Sequence, residues 1–194
     1  MASREVTGSR SCAIVAFERH ARLTVVGHHG AVRIRLARDP DLGAIVEIYN
    51  QAVRELATAD TEPVTEQSRR SWFAGHTADR RPILVAEEQD EILGWVSLSD
   101  HRPGRQAVRH TAEISYYVHT EHRRKGVASH LVRAAIERCP ELEIKTLFAI
   151  LLEDNTASVR LLERLGFEEW GRLPGVADFD GREVGQLYYG RRVG

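Results

Sequence analysis

The run LFAILL, residues 147–152, carries no polar side chain. A strand of that kind is buried on both faces, so layers must cover it above and below. Its neighbours supply them. The segment VASHLVRAAIERC before it sets Val127, Leu131, Val132, Ala135 and Ile136 on one helical stripe. EDNTASVRLLERLGF after it reads as a second helix, closed by Gly166 as a left-handed cap. A strand flanked in this way belongs to a layered α/β domain.

The rest of the chain agrees with that class. VRIRLA, from Val32, alternates apolar and charged residues, the two-residue period of a half-buried strand. ARDPDLGAIVEIYNQAV predicts a helix with Asp39 as cap, Pro40 at its first position, and Leu42, Ile45, Val46 and Tyr49 on one face. TADTEPVTEQSRRSWFAGH is a loop and then a helix capped by Thr65 and anchored by Trp72 and Phe73. RPILVAEEQDEILGWVSLS is strand, turn, strand, and TAEISYYVHT is a further strand after the aperiodic loop DHRPGRQAVRH. EEWGRLPGV, DFDGR and EVGQLYYG form a terminal hairpin. The main domain is therefore expected over residues 32–194. Residues 1–31 read as an extension that is either disordered or adds the short strand LTVV to one edge.

The chain has 194 residues, 42% apolar and 28% charged, with a formal net charge of −1. One domain with a real core is expected. The charge balance argues against a nucleic-acid partner, so any basic site must be local. Cys12 and Cys139 form no disulfide framework and no metal-ligand spacing, which suits a reducing cytoplasm. No apolar run reaches the ~18 residues that span a bilayer, so no membrane partner is expected. SCAIVAFERH meets charge too soon for a signal peptide. His20 and His28-His29 have no further ligands at useful spacing, and no metal is expected.

One stretch carries local positive charge: HRRKGVASH, residues 122–130, where a strand ends and a helix begins. The first amides of a helix lack partners inside it and attract anions. Gly126 lets the chain turn and a phosphate approach, and Ala128 and Ser129 keep the entrance open. Arg123, Arg124 and Lys125 add charge at the rim. A diphosphate is the natural occupant. Neither the Walker pattern nor the three-glycine dinucleotide fingerprint is present.

Arg123-Arg124-Lys125-Gly126-Val127-Ala128 resembles the pyrophosphate loop of the GNAT superfamily of acetyl-coenzyme A-dependent N-acetyltransferases. NTASVRLLERLGF matches that superfamily's second cofactor segment. IYNQAV, TEPVT, LVAEE, ILGWVSLSDHRP and RHTAEISYYVH are similar to the subgroup of phosphinothricin and methionine sulfoximine acetyltransferases. The resemblance runs from Val32 to Arg192. It implies the GNAT fold: a mixed, mostly antiparallel sheet with two splayed parallel strands and helices on both faces. It implies acetyl-coenzyme A as cosubstrate, a small-molecule amine as acceptor, direct attack on the thioester, and a homodimer. The splayed strands would be EISYYVH and TLFAILL. Backbone amides near Tyr117 and Val118 would bind cofactor carbonyls, residues 123–128 the pyrophosphate, and Asn155 and Ser158 the pantetheine region.

Glu113, in RHTAE, matches the subgroup's catalytic glutamate and is the implied general base, acting through water. Ile114, Tyr116 and Val118 form one apolar face of its strand, and Glu113, Ser115 and Tyr117 point the other way. An α-ammonium has a pKa of roughly 8 and a lysine side chain about 10.4, so deprotonation at neutral pH costs on the order of 1.4 against 4.6 kcal/mol. A single carboxylate serves the α-amine more easily, which favours a free amino acid or analogue. Arg102, Arg105 and His110, in or beside the loop before this strand, are candidates for contacting such an acceptor. Two departures stand out. Leu162 occupies the place where many superfamily members carry a proton-donating tyrosine, and Gly181-Arg182-Glu183 stands where phosphinothricin enzymes carry a histidine. A different amine acceptor, such as a protein N-terminus or a polyamine, and a non-catalytic acyl-coenzyme A sensor are the competing readings.

Overall fold

The computed structural model describes the backbone of residues 23–27 and 30–194, and side chains from Val32 onward. The expectations for Cys12, His20, His28 and His29 fall outside those residues. The described chain is an eight-stranded mixed sheet carrying four α-helices. The strands are β1 (Leu23–Gly27), β2 (Gly30–Leu36), β3 (Ile83–Glu88), β4 (Glu91–Asp100), β5 (Thr111–Val118), β6 (Thr146–Leu152), β7 (Glu168–Phe179) and β8 (Arg182–Arg192). The helices are α1 (Leu42–Arg54), α2 (Glu66–Ala74), α3 (Val127–Arg138) and α4 (Thr156–Arg164). The sheet order is β1-β2-β3-β4-β5-β6-β8-β7, antiparallel throughout except where β5 and β6 run parallel. β1, within the segment read as an extension, pairs with β2 from Leu23↔Ile34 to Gly27↔Gly30.

The helices cover both faces. α3 and α4 pack Leu131, Val132, Ala135, Leu161 and Leu162 onto Leu84, Val96, Ile114, Leu147 and Leu187, the larger core. On the opposite face Ile45 and Ile48 of α1 meet Ile83, Val85 and Trp95, with Trp72 and Phe73 of α2 against them. The Trp95 indole donates to the Ile45 carbonyl at 3.0 Å, which satisfies its buried N–H. LFAILL is buried at every position but Ile150, as its composition demands. The Thr65 hydroxyl caps α2 by accepting from the Ser68 N–H at 3.1 Å.

Two local readings change. Asp39 does not cap α1: residues Asp39–Asp41 form a 3-10 turn, and the Asp41 carboxylate accepts from the Arg38 N–H at 2.7 Å. The alternation in VRIRLA predicts arginines on a half-buried strand, yet Arg35 is buried. Its guanidinium bonds Asp41 at 2.6 and 2.9 Å and Glu87 at 2.8 Å, tying β2 to the turn before α1 and to β3. Sequence periodicity cannot distinguish a solvated arginine from one whose charge is met by two buried carboxylates. The Arg35 guanidinium in turn holds the Glu87 carboxyl down to about 2.

Candidate functional site

β5 and β6 pair only at Thr111↔Thr146, Ala112↔Leu147 and Glu113↔Phe148. Beyond that rung the two strands run on, β5 to Val118 and β6 to Leu152, without pairing to each other. The sheet opens there into a cleft of about 1470 Å³. Glu113 stands at its closed end, the loop 122–126 and the start of α3 line its mouth, and Asn155, Ala157 and Ser158 line its α4 side.

The ladder phase decides which backbone groups face the opening. The His119 N–H donates to the Leu93 carbonyl at 2.9 Å, and the His101 N–H to the Thr111 carbonyl at 3.3 Å. Odd-numbered residues of β5 therefore bond to β4, and the N–H groups of Tyr116 and Val118 turn toward β6. Of the two amides expected near Tyr117 and Val118, the Val118 amide faces the gap and the Tyr117 amide belongs to the β4 ladder. Tyr117 contributes its ring instead, on the α1 face beside Trp95, with its hydroxyl 3.5 Å from Thr58 Oγ1.

At the mouth, Gly126 takes φ +86° and ψ −4° as the residue before α3, and no side chain caps that helix. The first α3 amide to find a carbonyl is that of His130, which donates to Gly126. The N–H groups of Val127, Ala128 and Ser129 precede it and have no partner inside the helix. Arg123 is half committed: it pairs with Glu55 at 2.7 Å, and its Nε lies 3.5 Å from the Val118 carbonyl. Arg124 and Lys125 are exposed and make no ion pair among the described residues. Free amides, an open turn and two uncommitted cations suit a pyrophosphate. The loop is pinned from α1, where Gln51 Oε1 accepts from the Thr120 N–H at 2.9 Å.

Asn155 is the cap of α4. Its Oδ1 accepts from the Ser158 N–H at 3.1 Å, which leaves its amide NH2 as a donor. Glu113 is half-buried, and burial pushes its carboxyl above the ordinary value. It makes no hydrogen bond or ion pair among the described residues. Ser99 lies opposite on β4 and Phe148 on β6. Leu162 is fully buried in the larger core, so this position of α4 offers packing only.

Arg102, Arg105 and His110 do not line the cleft. Arg102 and Arg105 sit exposed in the loop before β5, Arg102 at φ +52°. His110 turns away, its Nδ1 2.7 Å from the Glu143 carbonyl. Aromatic residues take the wall instead, among them Trp72 and Trp95, whose size suits either an acceptor pocket or plain packing. Tyr49, Trp72, Trp95 and Tyr117 make an aromatic cluster, and the Arg69 guanidinium lies 4.9 Å from the Tyr49 ring centroid. Asp60 accepts from the Tyr49 hydroxyl at 2.6 Å and from Arg69 at 3.0 Å. Outside this wall, His119, Glu121 and His122 bring one ligand-type atom each within 4.8 Å of the others, a grouping made by the 3-10 turn Thr120–His122. Its spacing, H-x-E-H, was the available signal. Among the described residues no helix is long and apolar enough to cross a membrane.

Comparison with known proteins agrees with this geometry. A profile of the acetyltransferase (GNAT) family matches residues 42–167. YwnH of Bacillus subtilis, whose name gives phosphinothricin acetyltransferase as a provisional activity, is 41% identical over 82% of this chain and 98% of its own. An L-methionine sulfoximine/L-methionine sulfone acetyltransferase of Pseudomonas aeruginosa is 38% identical over 77% of this chain and 87% of its own. A phosphinothricin acetyltransferase of Sinorhizobium meliloti, solved in complex with acetyl-coenzyme A, superposes with a TM-score of 0.79 at 29% identity, covering 84% of this chain and 89% of that one.

Proposed function

Because this chain belongs to the acetyltransferase (GNAT) family, we propose that it moves acetyl from acetyl-coenzyme A to the α-amine of a small polar amino acid or analogue, of the phosphinothricin, methionine sulfoximine or methionine sulfone type. The chain is an acetyl-coenzyme A-dependent N-acetyltransferase; the acceptor and the roles below are the proposal. The observation that carries it is the parting of β5 from β6 just after Glu113, with the Gly126 turn and the first residues of α3 lining the same cleft. Relatives named for acetylating amino acid analogues support the acceptor class.

In this reading the amides of Val127, Ala128 and Ser129, with Arg124 and Lys125, hold the pyrophosphate. The Val118 and Tyr116 amides face the gap, where one binds a pantetheine carbonyl and the other the oxygen that gains charge during attack. The spare amide protons of Asn155 serve the same arm. Glu113 takes a proton from the acceptor's ammonium through a water. Its half-buried, unpaired setting makes it a stronger base than a solvated glutamate. The aromatic wall of Tyr49, Trp72, Trp95 and Tyr117 receives the acceptor side chain. Arg69, over Tyr49, is our candidate for the acceptor carboxylate, in place of Arg102 and Arg105.

The test is thiol release from acetyl-coenzyme A over a panel of free amino acids, the sulfoximine, the sulfone, phosphinothricin, polyamines and peptides with free N-termini. The proposal expects the highest kcat/KM among the small amino acids and analogues. A polyamine or a peptide outpacing all of them refutes the acceptor class.

A further inference from the structure

Tyr116 carries a hydroxyl that is buried without a hydrogen-bond partner. Its ring leaves β5 toward the α3 and α4 side, packs against the larger core, and the residue lines the cleft together with Asn155 and Ser158. The Ser158 hydroxyl lies close enough to lower the phenol's pKa as a loose hydrogen-bonding neighbour, but outside the geometry of a full hydrogen bond. An unpaired buried donor destabilises a fold, by about as much as a lost hydrogen bond. Phenylalanine would fill the same space without that cost. A hydroxyl kept there wants an acceptor that arrives with a ligand. Tyr116 also lies in the stretch of β5 that has left β6, three residues beyond the last paired rung at Glu113. Leu162 of α4 supplies no donor to the cleft, because it is buried in the larger core and does not line the opening.

We propose that the Tyr116 O–H donates a hydrogen bond to the thioester sulfur and stabilises it as it leaves as a thiolate. This inference rests on the proposed acetyl transfer. The electron count closes without a further reagent. Glu113, through water, takes one proton from the acceptor ammonium, and the freed nitrogen pair forms the bond to the acetyl carbon. The C–S bond breaks with its pair going to sulfur, and the nitrogen releases its second proton to water. The phenolic proton stays on its own oxygen throughout. Burial pushes that phenol up to about 12, so it remains a protonated donor across the working range. A hydrogen bond to sulfur strengthens as charge builds there, so it acts on the transition state more than on the bound thioester.

The experiment compares wild type with Tyr116→Phe by thermal unfolding of the free protein, calorimetric titration with acetyl-coenzyme A and with coenzyme A, kcat, and ultraviolet titration of the enzyme-bound coenzyme A thiol. The expected variant is as stable as wild type or more so and binds acetyl-coenzyme A within about twofold. Its kcat falls by about 10- to 100-fold, the worth of a hydrogen bond to a charged atom. Its bound thiol titrates at higher pH. A less stable variant whose kcat and bound-thiol titration match wild type assigns Tyr116 a packing role and overturns the proposal. Equal weakening of acetyl-coenzyme A and coenzyme A with unchanged kcat and thiol titration moves the bond to the pantetheine arm and also overturns it. Wild type that binds no acetyl-coenzyme A sinks the transfer reading itself. Wild type that binds and turns over while the variant is indistinguishable sinks this inference alone.

Discussion

Replacing Glu113 with glutamine keeps the shape and most of the polarity of the side chain and removes only its capacity to take a proton. The carboxylate makes no ion pair among the described residues, so the change breaks no structural contact, and thermal stability should hold. Its raised pKa comes from burial alone, which means the residue holds a proton more tightly than a solvated carboxylate does. An α-ammonium of pKa roughly 8 is about one-tenth deprotonated at neutral pH. A general base is worth about 10²- to 10⁴-fold in rate, so Glu113→Gln should lower kcat/KM by about that factor. The acetyl-coenzyme A Kd should move less than about twofold, because the residue stands at the far end of the cleft from the cradle. The pH profile adds a second check. Wild-type activity falls as pH drops through the carboxyl pKa, which lies above the ordinary glutamate value, and the variant lacks that limb. Raising the pH past the amine pKa supplies free amine without help and narrows the gap by up to about tenfold. The assays are thiol release across pH and calorimetry. A variant that keeps turnover within about threefold of wild type, or that retains the same acidic limb, refutes the base assignment.

Gly126→Ala tests the turn before α3. The added Cβ meets nothing closer than His130 Cε1 at 3.7 Å, so the cost is the left-handed backbone at φ +86°. About 1–2 kcal/mol of destabilisation is expected, read as a lower Tm, together with weaker acetyl-coenzyme A binding; an unchanged Tm would show that the turn does not require that conformation. Arg124→Ala with Lys125→Ala should weaken acetyl-coenzyme A in calorimetry and flatten the salt dependence of its Kd, while Arg123→Ala should also loosen the contact to Glu55 and lower Tm. Glu87→Gln tests the buried arginine network through acid stability. The folded pKa of Glu87, about 2, lies below that of an unfolded glutamate, so its contribution is complete above the unfolded value and fades as pH falls toward 2. That contribution is on the order of 3 kcal/mol. Chemical denaturation between about pH 5 and pH 2 should show a shallower loss of stability in the variant; equal slopes would mean that the pairing contributes nothing.

The residues that act through their own neighbours were legible in the chain. LFAILL announced a strand covered on both faces. Thr65 announced a helix start, and Gly126 announced the turn before α3, because capping and backbone handedness depend on residues only a few positions apart. The α/β class followed from the same local periods. Asp39 was misread because a competing neighbour, Asp41, takes the Arg38 N–H, and the burial of Arg35 had no local sign because its partner Glu87 is distant in sequence.

The cleft itself belongs to tertiary structure. No local pattern says that β5 and β6 stop pairing after Glu113↔Phe148, since that depends on how two strands about thirty residues apart are packed by α3 and α4. The same holds for the ladder phase that turns Val118, and not Tyr117, toward the opening. It holds for the wall that joins Tyr49, Asp60 and Arg69 to Trp95. It also holds for the unpaired hydroxyl of Tyr116, whose apolar strand position looked like ordinary core. Local sequence sets the shape of each element through short-range sterics and hydrogen bonding. Which side chains share a cavity is set by the register and packing of elements far apart in the chain, and only the folded molecule resolves that.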